Sequence, residues 1–264
     1  MNIVLYPKAK INIGLRVLSR RPDGFHDIET LFFPLPEFND ILEIIEAPSF
    51  RVINYGKMYD LPGNDPDKEL CARAYRLLEK DFGLPPVEIH LFKSIPVGAG
   101  LGGGSSDAAS VLKGLNDLFA LSLPVEKLAA YAATLGSDCP FFLYDTPMFG
   151  SGRGDILEPF SSGSLSELED SSIYRIKVVD PGIHVSTAEA YSGIVPDVSG
   201  AGLDGLLSEL PIEQWKGNII NDFEDTVFAN HPELARIKAE LYEEGAVYAS
   251  MSGSGSAVYG VFRL

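Results

Sequence analysis

Two sets of residues in this chain have the types and spacing to do chemistry. The first is Pro96 to Ala109, P-V-G-A-G-L-G-G-G-S-S-D-A-A, which sets five glycines, two hydroxyls and a helix start in succession. Glycine has no Cβ, so the backbone at Gly98, Gly100, Gly102, Gly103 and Gly104 is able to take positive φ and lie against an anion, offering N–H donors. Ser105, Ser106 and Asp107 are helix-starting types, and the Ala-rich, leucine-spaced run to Phe119 predicts a helix whose positive end points back into the loop. Loop and helix together make a phosphate cradle.

The second set is two lysines and a carboxylate. Tyr6 to Leu15 alternates so that Lys8, Lys10 and Asn12 share one face of a strand and Ala9, Ile11 and Ile13 the other. Such a polar row either faces water or supplies a cation and an amide to a site. Asp138 stands in L-G-S-D-C-P-F-F, where a helix is expected to end at Gly136 and a buried strand to follow. An aspartate there either serves a turn by accepting a backbone N–H or, held among apolar neighbours, accepts a proton from an alcohol.

Two further segments bear on ligands. Arg21 to His26, R-P-D-G-F-H, contains a turn before the strand Ile28 to Phe33; its Phe25–His26 pair is either ordinary surface or a stacking face and hydrogen-bonding edge for a planar base. Ser250 to Ala257, bracketed by strand-like Ala246–Ala249 and Ala257–Phe262, reads as a second glycine loop against a ligand rather than a linker.

The elements around these residues narrow the class. No Gly-Lys-Ser/Thr follows the glycines, which excludes a Walker A loop. Gly98, Gly100 and Gly103 satisfy G-x-G-x-x-G after the strand-like Val87–Lys93, but a dinucleotide fold needs a second strand carrying an acid roughly 20 residues on. Val125 to Leu135 reads instead as a helix, with Pro124 at its first turn, Leu128, Ala129 and Ala132 on one face, and Gly136 as its stop. Strands and helices are mixed without regular βαβ repetition, an α+β pattern, and 264 residues fit one large or two modest domains. Pro159 to Ser172, loop-like and rich in Ser and acids, is the expected crossing between them.

A formal charge of −16 argues against nucleic-acid partners. No apolar run approaches the roughly 18 residues of a membrane span, and Met1 to Leu15 lacks a signal peptide's features, so a cytoplasmic location is expected. Cys71 and Cys139 are too few for a disulfide framework or a zinc site and read as reduced core thiols.

These segments together resemble the GHMP kinase superfamily, whose P-x-x-x-G-L-G-S-S-A-A motif is similar to Pro96–Ala109. Within it, K-A-K-I-N-I-G-L at Lys8–Leu15 and R-P-D-G-F-H resemble the P-A-K-L-N-L-x-L and R-x-D-G-Y-H of the branch acting on a cytidine diphosphate conjugate of methylerythritol. The resemblance implies a two-domain GHMP kinase fold: a ribosomal S5 domain 2-like, ATP-binding N-terminal domain over 1–158 and an α/β substrate domain over 159–264. It implies ATP and Mg²⁺ as cofactors and transfer to the acceptor's 2-hydroxyl, with Asp138 as the base and Lys10 orienting it and offsetting charge. Lys93, Pro96, Val97, Gly98, Ala99, Gly100, Leu101, Gly102, Gly103, Gly104, Ser105 and Ser106 match nucleotide-binding positions. Asn12, Phe25, His26, Asp138 and Tyr191 match substrate-binding positions, Phe25 and Tyr191 by stacking on the base and His26 at its edge; no side chain is assigned to the metal. A small-molecule substrate, no nucleic acid, no membrane, and a monomer or homodimer complete the expectation.

Three positions depart from the branch: Phe25 replaces Tyr, Glu69 departs in Lys68-Glu69-Leu70 where an Asn-Leu pair helps hold adenine, and Lys8 replaces Pro. Other readings stay open at this level: a different small-molecule kinase of the superfamily, a nicotinamide-dependent oxidoreductase, and a nucleotide-binding regulator without catalysis.

Overall fold

The computed structural model describes residues 1–56, 69–197 and 202–264. In chain order the elements are β1 (Asn2–Leu5), β2 (Lys8–Arg20), β3 (His26–Asn39), β4 (Ile41–Glu46), β5 (Arg51–Tyr55), α1 (Leu70–Phe82), β6 (Val87–Phe92), α2 (Gly103–Leu118), α3 (Val125–Leu135), a 3₁₀ turn (Cys139–Leu143), β7 (Met148–Ser151), β8 (Ile156–Pro159), α4 (Gly163–Glu169), β9 (Tyr174–Val179), α5 (Thr187–Ser192), α6 (Leu203–Glu209), a second 3₁₀ turn (Ile212–Gln214), α7 (Phe223–Asn230), α8 (Pro232–Glu243), β10 (Tyr248–Met251) and β11 (Val258–Arg263). They fall into two compact units, the first made of Met1–Lys10, Pro34–Val97 and Gly102–Asp145, the second of Ile11–Phe33, Gly98–Leu101 and Thr146–Leu264.

The first unit is built on a sheet of order β1-β4-β6-β5, antiparallel except for the parallel β5/β6 pair. Alternation sends Leu42, Ile44, Ile89 and Leu91 to one face, where they pack with Tyr75 and Leu78 of α1 and Val111, Leu112 and Leu115 of α2. Helix α2 lies so close to the sheet that a Cβ on Gly114 would stand 2.6 Å from Leu5 and 2.8 Å from Ile44. Helix α1 is capped by Glu69, whose carboxylate accepts the Ala72 N–H at 2.8 Å, and stops at Gly83 in the left-handed region.

In the second unit, β9, β10 and β11 form an antiparallel sheet of order β10-β11-β9, and β3, β7 and β8 pair antiparallel in a sheet that also carries β2. Leu15, Val17, Phe223, Val227, Leu234, Leu241, Met251 and Val258 share its core.

The expected α+β class holds, and three details differ from the sequence reading. β2 and β3 run without a break from one unit into the other, after Lys10 and after Phe33, so residues 11–33 and 146–158 group with the C-terminal segments rather than within a single 1–158 block. The stretch expected to cross between domains instead contains α4, capped by Ser162, whose hydroxyl accepts the Leu165 N–H. The strand expected after Asp138 is the 3₁₀ turn Cys139–Leu143: Pro140 lacks a ladder donor and favours helical φ, and Tyr144 N–H closes on the Phe141 carbonyl at 3.1 Å. Both cysteines are buried free thiols.

Candidate active site

Of the row Lys8, Lys10, Asn12, only Lys8 reaches water. Lys10 and Asn12 are both buried. Lys10 Nζ lies 3.4 Å from Asp138 Oδ2, pairing a buried ammonium with a carboxylate that is 38% exposed. Burial lowers the Lys10 pKa by stripping water from the ammonium, and the charge and hydrogen bond of Asp138 oppose that drop. Asp138 takes its position from α3, which ends at Gly136, and from the 3₁₀ turn that begins one residue later. Lys8 pairs with the far end of the same segment, its Nζ 2.7 and 2.8 Å from the two oxygens of Asp145.

Helix α2 starts earlier than expected. Gly102 is its N-cap, in the left-handed region at φ +72°, so Gly103 and Gly104 are helical and Ser105, Ser106 and Asp107 lie within the first two turns. Ser106 N–H already bonds to the Gly102 carbonyl, leaving the N–H groups of Gly103, Gly104 and Ser105 without an intrahelical acceptor. These three donors are the ones an anion at the helix end would meet. A Cβ on Gly102 would come within 3.1 Å of Lys10 Cε and 2.6 Å of Phe142, so the lysine stem and the 3₁₀ turn both press on the cap. Lys10, Asp138 and the N-terminus of α2 are thus brought together within the first unit.

Gly98 and Gly100 also adopt positive φ. In the second unit their segment is braced by the late Gly/Ser stretch: Ser252 Oγ donates to the Gly100 carbonyl at 2.8 Å and Ala257 N–H to the Ala99 carbonyl at 3.0 Å. A Cβ on Gly100 would lie 2.0 Å from the Ser252 carbonyl oxygen. The S-G-S-G-S stretch is therefore a buried turn joining β10 to β11, with Ser252 and Ser256 inaccessible to solvent. Its contacts support the first glycine loop. Asn221 holds that turn, its Nδ2 donating to the carbonyls of Met251 and Gly253 at 2.9 and 2.8 Å. Asn221 carries no local signal in the sequence, because the carbonyls it meets are 30 and 32 residues away.

The expected substrate residues of the second unit divide into two groups. His26 and Tyr191 stack at 4.5 Å with an 18° interplanar angle, and Phe223 meets Tyr191 edge-on at 4.7 Å. Phe25 is 54% exposed, its ring under the Arg153 guanidinium at 5.1 Å. Arg153 is a contact that the sequence did not single out. Asn12 is buried, donating through Nδ2 to Thr30 Oγ1 at 3.0 Å, while Thr30 donates to the Gly14 carbonyl.

Lys93, expected at the nucleotide, is not presented to the loop's surface. It is buried with its ammonium bonded to Asp40 and, at 2.6 Å, to Asp107. Glu69 is occupied as the cap of α1, and Lys68 lies outside the described residues.

Comparison with known proteins fits this geometry. The GHMP kinases N terminal domain matches residues 69–146, and the GHMP kinases C terminal domain matches residues 209–264. The 4-diphosphocytidyl-2-C-methyl-D-erythritol kinase of Bacteroides thetaiotaomicron is 47% identical over 265 aligned positions, covering 99% of this chain and 92% of its own. The chain belongs to the 4-diphosphocytidyl-2-C-methyl-D-erythritol kinase family of GHMP kinases. The Azobacteroides pseudotrichonymphae member is likewise 47% identical over 99% of this chain and 94% of its own. A crystal structure of 4-(cytidine 5'-diphospho)-2C-methyl-D-erythritol kinase superposes with a TM-score of 0.76 at 33% identity, covering 98% of this chain and 89% of that one. GHMP kinases use ATP as co-substrate. The oxidoreductase reading falls, and α3 occupies the place where a dinucleotide fold would need its second strand.

Proposed function

We propose that this GHMP kinase transfers the γ-phosphoryl group of ATP to the 2-hydroxyl of 4-diphosphocytidyl-2-C-methyl-D-erythritol, a step of the non-mevalonate route to isoprenoid precursors, acting in the cytoplasm as a monomer or homodimer. The observation that carries the reading is the Lys10–Asp138 pair beside the Gly102 cap of α2, in a chain whose relatives of that name match it nearly end to end.

As the acceptor oxygen bonds to the γ-phosphorus and the bond to the ADP oxygen breaks, Asp138 takes the hydroxyl proton. Lys10 holds that carboxylate in place and sets a cation beside the phosphoryl oxygens, where burial raises its electrostatic effect. The N–H groups of Gly103, Gly104 and Ser105, with the backbone of Pro96 to Gly102 and the Ser106 turn, hold the triphosphate. Among the described residues no three His, Cys, Asp or Glu side chains cluster to cage a metal. A Mg²⁺ would reach the site together with the triphosphate that it accompanies. Such an ion neutralises charge on the nucleotide oxygens. The His26–Tyr191 stack and the exposed face of Phe25 are aromatic surfaces for the cytosine.

The test is ADP release with ATP, Mg²⁺ and the cytidylyl acceptor, run beside homoserine and mevalonate. Turnover with the cytidylyl acceptor alone, lost in Asp138→Ala, is expected. Equal turnover with homoserine or mevalonate would move the protein to another branch, and ATP binding without turnover on any alcohol would make it a regulator.

A further inference from the structure

The cluster Asp40, Lys93 and Asp107 is almost wholly buried, and its geometry ties together the two ends of the glycine loop. Asp40 lies between β3 and β4. Its Oδ1 accepts the N–H groups of Ser94 and Ile95 at 2.5 and 2.8 Å, where the chain leaves β6 toward the loop. Its Oδ2 accepts from Lys93 Nζ, and the same ammonium donates to Asp107 Oδ2 at 2.6 Å, in the second turn of α2 beyond the loop. Gly103 seals the arrangement, since a Cβ there would stand 2.9 Å from Ile95 and 3.2 Å from Lys93 Nζ.

We infer that Asp40, Lys93 and Asp107 form a clamp that presets the two ends of the triphosphate loop, so that Lys93 acts as a positioning residue under the nucleotide rather than as a phosphate ligand. This rests on the ATP-binding reading of the loop given above.

The physical case has two parts. A loop of glycines loses much backbone freedom when it is ordered around a ligand. Fixing Ser94, Ile95 and the start of α2 beforehand removes part of that cost from the binding step. Charge is the second part. Two ionised carboxylates beneath a helix end that receives phosphates would repel them, whereas here a cation sits between the two. Burial pushes the Asp107 carboxyl up to about 8, with the Asp40 charge adding to the rise and Lys93 opposing it. Among the described residues Asp107 Oδ1 has no hydrogen-bond partner, so its only tie is the one that Oδ2 makes to Lys93. Lys93 stays charged: burial alone would lower its pKa, but the two carboxylates together raise it.

The experiment titrates a non-hydrolysable ATP analogue with Mg²⁺, and separately the cytidylyl acceptor, into the wild type, Asp107→Ala and Asp107→Asn. Asp107→Ala removes the acceptor on α2, while Asp107→Asn keeps a neutral oxygen facing Lys93. The expected result is analogue binding about tenfold weaker in Asp107→Ala, on the scale of one charge-assisted hydrogen bond, and within about threefold of wild type in Asp107→Asn, with acceptor binding unchanged in both. Wild-type affinity in Asp107→Ala, an equal loss for both ligands, or an Asn variant as weak as the Ala variant would each overturn the clamp. Amide exchange on the nucleotide-free wild type gives a check independent of any variant. Ser94, Ile95 and Ser106 are expected to be protected before nucleotide is added, and free exchange that stops only on binding would overturn it. An acceptor that does not bind, with the analogue pattern intact, would count against the proposed substrate and leave the clamp standing.

Discussion

Lys10 Nζ stands 3.4 Å from Asp138 Oδ2, with the lysine buried and the carboxylate open to solvent on one side. The asymmetry separates two tasks. A solvent-accessible carboxylate can meet a substrate hydroxyl, while a buried ammonium can only act on what is placed against it. Loss of Asp138 and loss of Lys10 are therefore expected to look different.

Asp138→Asn keeps the shape of the side chain and loses the proton acceptor. The expected outcome is a fall in kcat of about 10²- to 10⁴-fold, the range for a positioned general base, with KM for ATP little changed. Steady-state kinetics on both substrates check it, and a kcat within a factor of three of wild type would remove Asp138 from the chemistry.

Lys10→Met is expected to trade activity for stability. A lysine whose folded pKa is lowered binds its proton less tightly in the native state than in the unfolded chain, where the value is near 10.5. The buried cation thus costs stability at all pH values below the folded pKa, and the cost fades as pH rises from there toward 10.5. Removing it lifts that cost, and the exposed Asp138 can hydrate. Melting at neutral pH should show a Tm equal to or above wild type, while kcat falls about 10²- to 10³-fold from the lost electrostatic support. A clear drop in Tm would show that the pair is mainly structural.

Lys8→Ala tests the other tie between β2 and the Asp138–Asp145 segment. Lys8 and Asp145 are both substantially exposed, so solvent screens their attraction, and a stability loss of only about 0–1 kcal/mol is expected. High salt should shrink the difference between variant and wild type. A loss that does not respond to salt would mean that the lysine stem, not its charge, matters.

Much of this was legible in the residues, and the rest failed for identifiable reasons. The left-handed glycines at 98, 100 and 102 followed from the absence of a Cβ, and α3 from Pro124, its apolar spacing and Gly136. The roles of Lys10 and Asp138 came from family resemblance, since neither spacing nor composition pairs residues so far apart. Cys139–Leu143 read as a strand because five apolar residues in a row look alike in either state, and only the hydrogen bond closed by Tyr144 decides between them. Lys93 entered as a nucleotide-binding position through the family resemblance alone, and no local signal showed that it would be buried. Its partners Asp40 and Asp107 are 53 and 14 residues away, and burial, which turns the cation inward, is a tertiary property.

Asp107 predicts a pH signature in stability. Its carboxyl titrates near 8 in the folded protein against an ordinary value of 3.8, so between these values the native state holds a proton that the unfolded chain has released. Stability from this group is fully present below about 3.8 and falls as pH rises toward about 8, with a slope of at most about 1.4 kcal/mol per pH unit. Asp107→Asn cannot titrate there. Denaturant melts at intervals between pH 5 and 8.5 should show the variant gaining on the wild type as pH rises, and a constant difference would mean that the carboxyl is ionised throughout.

Gly100 and Gly24 give a matched comparison of backbone strain with and without a neighbour. Both hold positive φ, +78° and +88°, so alanine at either position pays about 1–2 kcal/mol for a left-handed conformation. Around Gly24 none of the described residues lies within 4 Å of an added Cβ. At Gly100 the same atom would sit 2.0 Å from the Ser252 carbonyl oxygen, a backbone group pinned by the β10–β11 turn and by Asn221. Gly24→Ala should therefore fold with a small loss of Tm and keep its affinity for ATP. Gly100→Ala must push the two glycine segments apart, and is expected to lose more Tm and to weaken ATP binding at least tenfold. Thermal melts and nucleotide titrations on the two variants decide the point: equal effects would show that left-handed strain alone, and not the Ser252 brace, sets the shape of the loop.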